Sequence, residues 1–185
     1  MTPRVKESLA SLRQNRTTDL VNLFKKVAYL ENKIQVNFRS ASGSLIISIS
    51  DKIETSSEYS GARFRSKAEN FSAMYYERWI LHQKDVYFLE RAYFHLYKND
   101  GETLKEKEYI LLHCDASEPS EAEHSLYKQS PHLHFECAEN PIPRAHIALF
   151  NGQIETILSD LKNFNKALSH SIEMLDSQII SRLQD

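Results

Sequence analysis

Ser130-Pro131-His132-Leu133-His134-Phe135-Glu136-Cys137 and Pro143-Arg144-Ala145-His146-Ile147-Ala148-Leu149 separate polar from apolar residues with a period of two. That is the period of side chains along a strand. In the first run Leu133, Phe135 and Cys137 share one phase, and His132, His134 and Glu136 share the other. In the second, Ala145, Ile147 and Leu149 alternate with Arg144, His146 and Ala148. Two such neighbouring runs predict an antiparallel hairpin closed by residues 138–143. The even register sets His134 opposite His146 and Glu136 opposite Arg144 on one surface. A one-residue slip would oppose the histidines to apolar residues, so the pattern selects the even register. Leu133, Phe135, Ile147 and Leu149 then form the apolar face behind them.

Working outward, residues 86–97 and about 104–114 alternate as a second strand pair around Asn99-Asp100-Gly101, because Asp-Gly readily takes the positive φ of tight hairpin turns. Ile34, Val36 and Phe38, then Leu45, Ile47 and Ile49, predict another hairpin across Ser40-Ala41-Ser42-Gly43. Residues 50–65 read as a loop. Residues 66–83 read as a helix presenting Phe71, Met74, Tyr75 and Trp79. Residues 3–33 read as one or two helices, with stripes Val5, Leu9, Leu12 and Leu20, Leu23, Phe24, Val27, Leu30. The polar residues 14–19 suggest a break, with Thr18 or Asp19 as the second N-cap. From Asn151 onward, Ile154, Ile157, Leu161, Phe164, Leu168, Ile172, Leu175, Ile179 and Leu183 recur with a mean step close to 3.6. An unbroken helix over that seam would be roughly 45 Å long at 1.5 Å per residue.

These patterns predict a single α+β domain over residues 1–185 with a mainly antiparallel sheet. An N-terminal helical region spans 1–33, the sheet with one inserted helix spans 34–150, and a long C-terminal helix spans 151–185. Hydrophobic residues at 41% supply a core, and charged residues at 26% are ordinary for a water-exposed surface. No apolar run is long enough to span a bilayer, and residues 1–14 lack the apolar stretch of a secretory signal. A cytoplasmic location without membrane contact is the expectation. Cys114 and Cys137 fall in apolar phases and read as buried thiols rather than a disulfide framework. With four glycines in all, the chain carries no P-loop or Gly-rich dinucleotide fingerprint, and it has no G-x-S-x-G elbow.

The net charge of −2 conceals an asymmetry. Residues 1–84 carry 14 Lys and Arg to 8 Asp and Glu; residues 85–185 carry 9 to 17. The basic half suits phosphates, or complements the acidic half within one fold or a homodimer. Arg63-Phe64-Arg65-Ser66-Lys67 interleaves an aromatic with cations, as single-strand nucleic-acid binders do. It reads more simply as an ordinary loop ending in a helix N-cap.

Two histidines at i and i+2 on a strand project side by side and can share one metal ion. His132, His134 and His146 therefore form a candidate site for zinc or another divalent metal. Glu136 is the candidate base and Arg144 the phosphate clamp. Without metal, the same residues suit general acid–base attack on a phosphodiester. The alternative is a solvated strand surface with an ordinary Glu136–Arg144 ion pair. The spacing resembles the first half of the His-φ-His-φ-His-φ-φ signature of histidine-triad nucleotide hydrolases. Glu136 stands where that family has its third histidine, so the family's mechanism is not carried over. His95 and His113, in adjacent predicted strands, either join the same polar face or read as partly buried polar residues near Tyr93, Tyr97 and Tyr109.

The first functional expectation is a non-enzymatic accessory subunit of a cytoplasmic multiprotein assembly, with no cofactor. It would bind a protein partner or itself through residues 151–183, and nucleic acid through Arg63, Arg65 and Lys67. The second is a small phosphodiesterase, nuclease- or toxin-like, whose catalytic residues are His132, His134, Glu136, Arg144 and His146.

Overall fold

The computed structural model describes residues 5–51, 62–99, 106–116, 131–137, 142–149 and 153–184. One antiparallel sheet contains β1 (Lys6–Ser8), β2 (Gln35–Ala41), β3 (Ser44–Ser50), β4 (Phe64–Arg65), β5 (Phe71–Gln83), β6 (Val86–Asn99), β7 (Glu106–Cys114), β8 (His132–Cys137) and β9 (Ile142–Ala148). Its order is β2-β3-β5-β6-β7-β8-β9, with β1 paired to β6 and β4 to β5. The N-terminal helix comprises α1 (Leu9–Ser11), a π-helical turn (Leu12–Arg16) and α2 (Thr17–Phe24). The C-terminal helices are α3 (Ile154–Ile157) and α4 (Leu161–Gln178), followed by a 3-10 turn over Ile180–Gln184. The chain is thus α+β, as its patterning predicts. No helix among the described residues is long and apolar enough to cross a membrane.

The hairpins follow their turn chemistry. Ala41 pairs with Ser44 around Ser42 and Gly43, whose φ angles are +23° and +78°. Both lie in the left-handed region that tight two-residue hairpin turns require. At the other end of the sheet, β8 and β9 pair His132 with Ala148, Leu133 with Ile147, His134 with His146 and Phe135 with Ala145. This is the even register. The ladder then shifts, and Cys137 pairs with Ile142. Glu136 and Arg144 therefore lie at the irregularity instead of forming the regular pair expected of them.

Residues 66–83 do not form the expected helix. Residues 71–83 are the 13-residue strand β5, held between β3 and β6. Phe71, Tyr75 and Trp79 are four apart, which is close to one helical turn and is also an even number. The spacing satisfies both periods, so the apolar stripe alone does not choose between them. Burial on both faces from Phe71 to Glu77 removes the clean polar alternation of a half-exposed strand.

The N-terminal region also differs from expectation. Residues 6–8 add to the sheet opposite Val86–Phe88. The helix then runs from Leu9 to Phe24 with no break at residues 14–19. Its N-cap is Ser8, whose hydroxyl accepts from the Ser11 N–H at 3.1 Å. Thr18 and Asp19 lie inside α2. The C-terminal seam, in contrast, is interrupted at Leu158-Ser159-Asp160. Asp160 caps α4 by accepting from the Asn163 N–H at 2.8 Å.

The seam packs within this chain. Ile157, Leu161, Phe164, Leu168, Ile172 and Leu175 are all buried, together with Leu12, Leu20, Phe24 and Val27 of the N-terminal region. They cover the sheet face that carries Leu45, Ile47, Ile49, Tyr75, Trp79 and Phe94. Phe24 sits at the centre, with ring centroids 4.4 Å from Tyr75 and 5.8 Å from Phe94. Each such side chain contributes about 1.5–3 kcal/mol on burial. Residues Lys162, Lys166, His170, Glu173 and Ser177 turn the polar side of α4 outward.

Candidate functional site

On the sheet face opposite the helices, a smaller cluster forms around Ile46, Met74 and Tyr76, with Tyr93 and Tyr97 packed against it. Two rows of side chains cross this face. One runs Tyr76–Tyr93–His113–His132, the other Met74–His95–Leu111–His134, each step a paired position in adjacent strands. Because neighbouring strands lie about 4.8 Å apart, residues in successive positions touch.

Three histidines meet where these rows reach β7 and β8. One ring nitrogen each from His113, His132 and His134 lies within 4.8 Å of the others. His132 Nε2 and His134 Nε2 are 3.1 Å apart. At that distance one ring must present N–H and the other a lone pair. The His113 ring centroid is 4.2 Å from that of His134 and 5.9 Å from that of His132. His132 is fully buried and His113 is 9% exposed, while His134 is the more open member.

This spacing is close to what a tetrahedral ion needs. Zinc–nitrogen bonds of about 2.05 Å place ligand nitrogens about 3.3 Å apart. The His132–His134 edge is already near that value. No other edge needs to close by more than about 1.5 Å, which side-chain rotation can supply. Three imidazoles leave one position of a tetrahedral ion open, as in catalytic zinc sites.

The sequence-predicted residues are therefore partly brought together. His132 and His134 meet as expected. The third histidine of the cluster is His113 of β7, which is both nearly buried and part of this polar face. His146 lies directly opposite His134 in the ladder, on the far side from β7. The side chains of Glu136, Arg144 and His146 lie outside the described residues. Ile147, expected on the buried face, is 50% exposed, because β9 is the edge strand. His95 stacks on Tyr97 with centroids 5.6 Å apart and an interplanar angle of 4°.

The three basic candidates for nucleic acid diverge. The Arg63 guanidinium lies 4.5 Å from the Tyr97 ring on the histidine face. Arg65 stacks on Tyr29 at 4.9 Å, and its Nε lies 3.9 Å from Asp51. Lys67 forms an ion pair with Asp176 of α4. Arg65 and Lys67 line an open groove of about 550 Å³ with Tyr29, Glu69, Asn70 and Phe71. The groove does not include the histidines.

A second polar cluster, on the helix-covered face, was not anticipated. Arg16 and Glu77 form an ion pair and are 1% and 0% exposed. Arg16 Nε donates to both Glu77 oxygens, at 2.9 and 3.0 Å. The Tyr75 hydroxyl and Trp79 Nε1 also donate to the carboxylate, the latter at 2.9 Å. Arg16 reaches Asn165 of α4, whose amide donates to Asp19 at 2.6 Å. Burial alone would lower the Arg16 pKa, but Glu77 and Tyr75 together outweigh it and hold the guanidinium above its ordinary value. The signal was present in the sequence. Arg16 sits in the helical stripe between Leu12 and Leu20, and Glu77 in the strand phase between Tyr75 and Trp79. A lone cation and a lone anion, each in an apolar stripe, mark a buried pair. Cys114 is buried in the same core, and that burial pushes its thiol well above the ordinary range, which disfavours a nucleophilic role.

Comparison with protein-family models, curated proteins and solved structures finds no match to this chain.

Proposed function

We propose that this protein is a small metal-dependent phosphodiesterase, with one divalent transition-metal ion held by His113, His132 and His134. The observation that carries this reading is the convergence of three imidazole nitrogens within 4.8 Å on one sheet face. Imidazole is a preferred ligand of zinc. An ion with three protein ligands supplies a bound water that ionises near neutral pH. His134, the least buried of the three, marks the side from which water and substrate enter. Cations for an anionic substrate stand on the same face: Arg91 lies 5.8 Å from the ring of Tyr93, and Arg63 lies over Tyr97.

Association through residues 151–183 without chemistry draws less support. The apolar seam that motivated it is engaged inside this chain, and α4 turns polar residues outward.

Hydrolysis of bis(p-nitrophenyl) phosphate and of single-stranded nucleic acid by the zinc-loaded full chain tests the proposal. Activity is expected to vanish on chelation, return with zinc, and be absent in the His132→Ala/His134→Ala variant. No hydrolysis by the zinc-loaded chain, or hydrolysis that survives both chelation and the double substitution, contradicts it.

A further inference from the structure

We infer that Tyr93 and Asp115 form a support that holds His113 in its metal-binding pose, an inference that rests on the metal reading above. Tyr93 and His113 are directly opposite in the β6–β7 ladder. Their rings stack almost parallel, with centroids 3.6 Å apart and an interplanar angle of 10°. The His113 ring also lies 4.2 Å from the ring of His134, at an interplanar angle of 61°. Stacking on Tyr93 clamps the plane of the imidazole and leaves the in-plane shift that closes the remaining distance to the other two nitrogens.

Tyr93 is itself fixed. Its hydroxyl donates to Asp115 Oδ1 at 2.5 Å. Asp115 follows His113 by two residues, so the alternation that turns His113 to this face turns Asp115 the same way. Tyr76 packs on the Tyr93 ring at 5.3 Å, and the Arg91 guanidinium lies over it. A chain of two contacts, Asp115 to Tyr93 and Tyr93 to His113, therefore sets the plane of one ligand before any ion arrives. Groups that orient metal-binding histidines commonly change affinity by about 10- to 100-fold when removed. Tyr93 is a positioning residue here, since it acts through His113.

The experiment is cobalt binding to the full chain, read by competition with a chromophoric chelator and by the visible absorption of the bound ion. Tyr93→Leu removes the flat ring and is expected to weaken binding at least about tenfold and to alter the cobalt band. Tyr93→Phe keeps the ring but loses the hydroxyl's bond to Asp115, and is expected to recover most of that affinity while staying a few-fold below the wild type. Equal affinity and an identical spectrum in Tyr93→Leu overturn the inference, as does a Tyr93→Phe variant that binds no better than Tyr93→Leu. If Tyr93→Leu does not fold, Asp115→Ala decides: a loss of a few-fold with a shifted band supports the clamp, and no change overturns it. Absence of cobalt binding in the wild type overturns the metal reading and this inference with it, and that arm is read separately.

Discussion

Arg16 with Glu77 and His113 with His132 and His134 lie on opposite faces of one sheet, and they solve the burial of polar groups differently. The first cluster joins a cation to an anion. Glu77 receives the guanidinium, the Tyr75 hydroxyl and the Trp79 indole, and Arg16 extends to Asn165. Opposite charges with donors matched to acceptors close on themselves, and the result ties the N-terminal helix, β5 and α4 together. The second cluster gathers three groups of one kind, each offering a ring nitrogen. Bases that crowd in this way acquire a common purpose when a cation sits among them. The difference separates a polar cluster that locks a fold from one suited to receive an ion.

The comparison is broken most severely at the ion pair. Arg16→Met or Glu77→Leu leaves one charge buried without its counterpart, and each is expected to cost about 3–5 kcal/mol. The double variant Arg16→Met/Glu77→Leu is expected to recover most of that loss, because a packed apolar pair needs no counter-charge. Urea unfolding of the three variants measures this. A double variant no more stable than the worse single one would mean that the network contributes through its specific hydrogen bonds to Tyr75, Trp79 and Asn165.

The histidine cluster is expected to respond to pH. A metal ligand must be a neutral imidazole, and imidazole ordinarily titrates near pH 6.5. Protons compete with the ion for the same lone pairs, so affinity falls as pH falls. Zinc affinity at pH 5.5 is expected to be lower than at pH 7.5. Isothermal titration at several pH values checks it, and a flat profile would remove the histidines from the binding site.

What the sequence made legible was local. The β8–β9 register followed from two adjacent alternating runs, because only one register keeps His134 and His146 together and the apolar residues behind them. The β2–β3 hairpin followed from Ser42-Gly43. Interactions between distant segments were harder to read. His113 was passed over in favour of His146 because a hairpin names its own neighbour, whereas the pairing of β7 with β8 joins strands separated by residues 115–131. The β5 strand was obscured by the ambiguous spacing of Phe71, Tyr75 and Trp79. Arg16 lay in a polar run that resembled a helix break, although its phase with Leu12 and Leu20 already placed it on the buried side. The C-terminal seam was legible in its residues but not in its interruption at residues 158–160; within this chain it packs with Leu20 and Phe24 of α2 and with the sheet.

The most direct measurement is the zinc content of the purified full chain after equilibration with excess zinc at pH 7.5 and removal of unbound metal, alongside the His132→Ala/His134→Ala variant. One zinc per wild-type chain, and none in a variant whose unfolding remains cooperative, is the predicted result. A wild-type chain that retains no zinc, or a variant that retains as much as the wild type, contradicts the account.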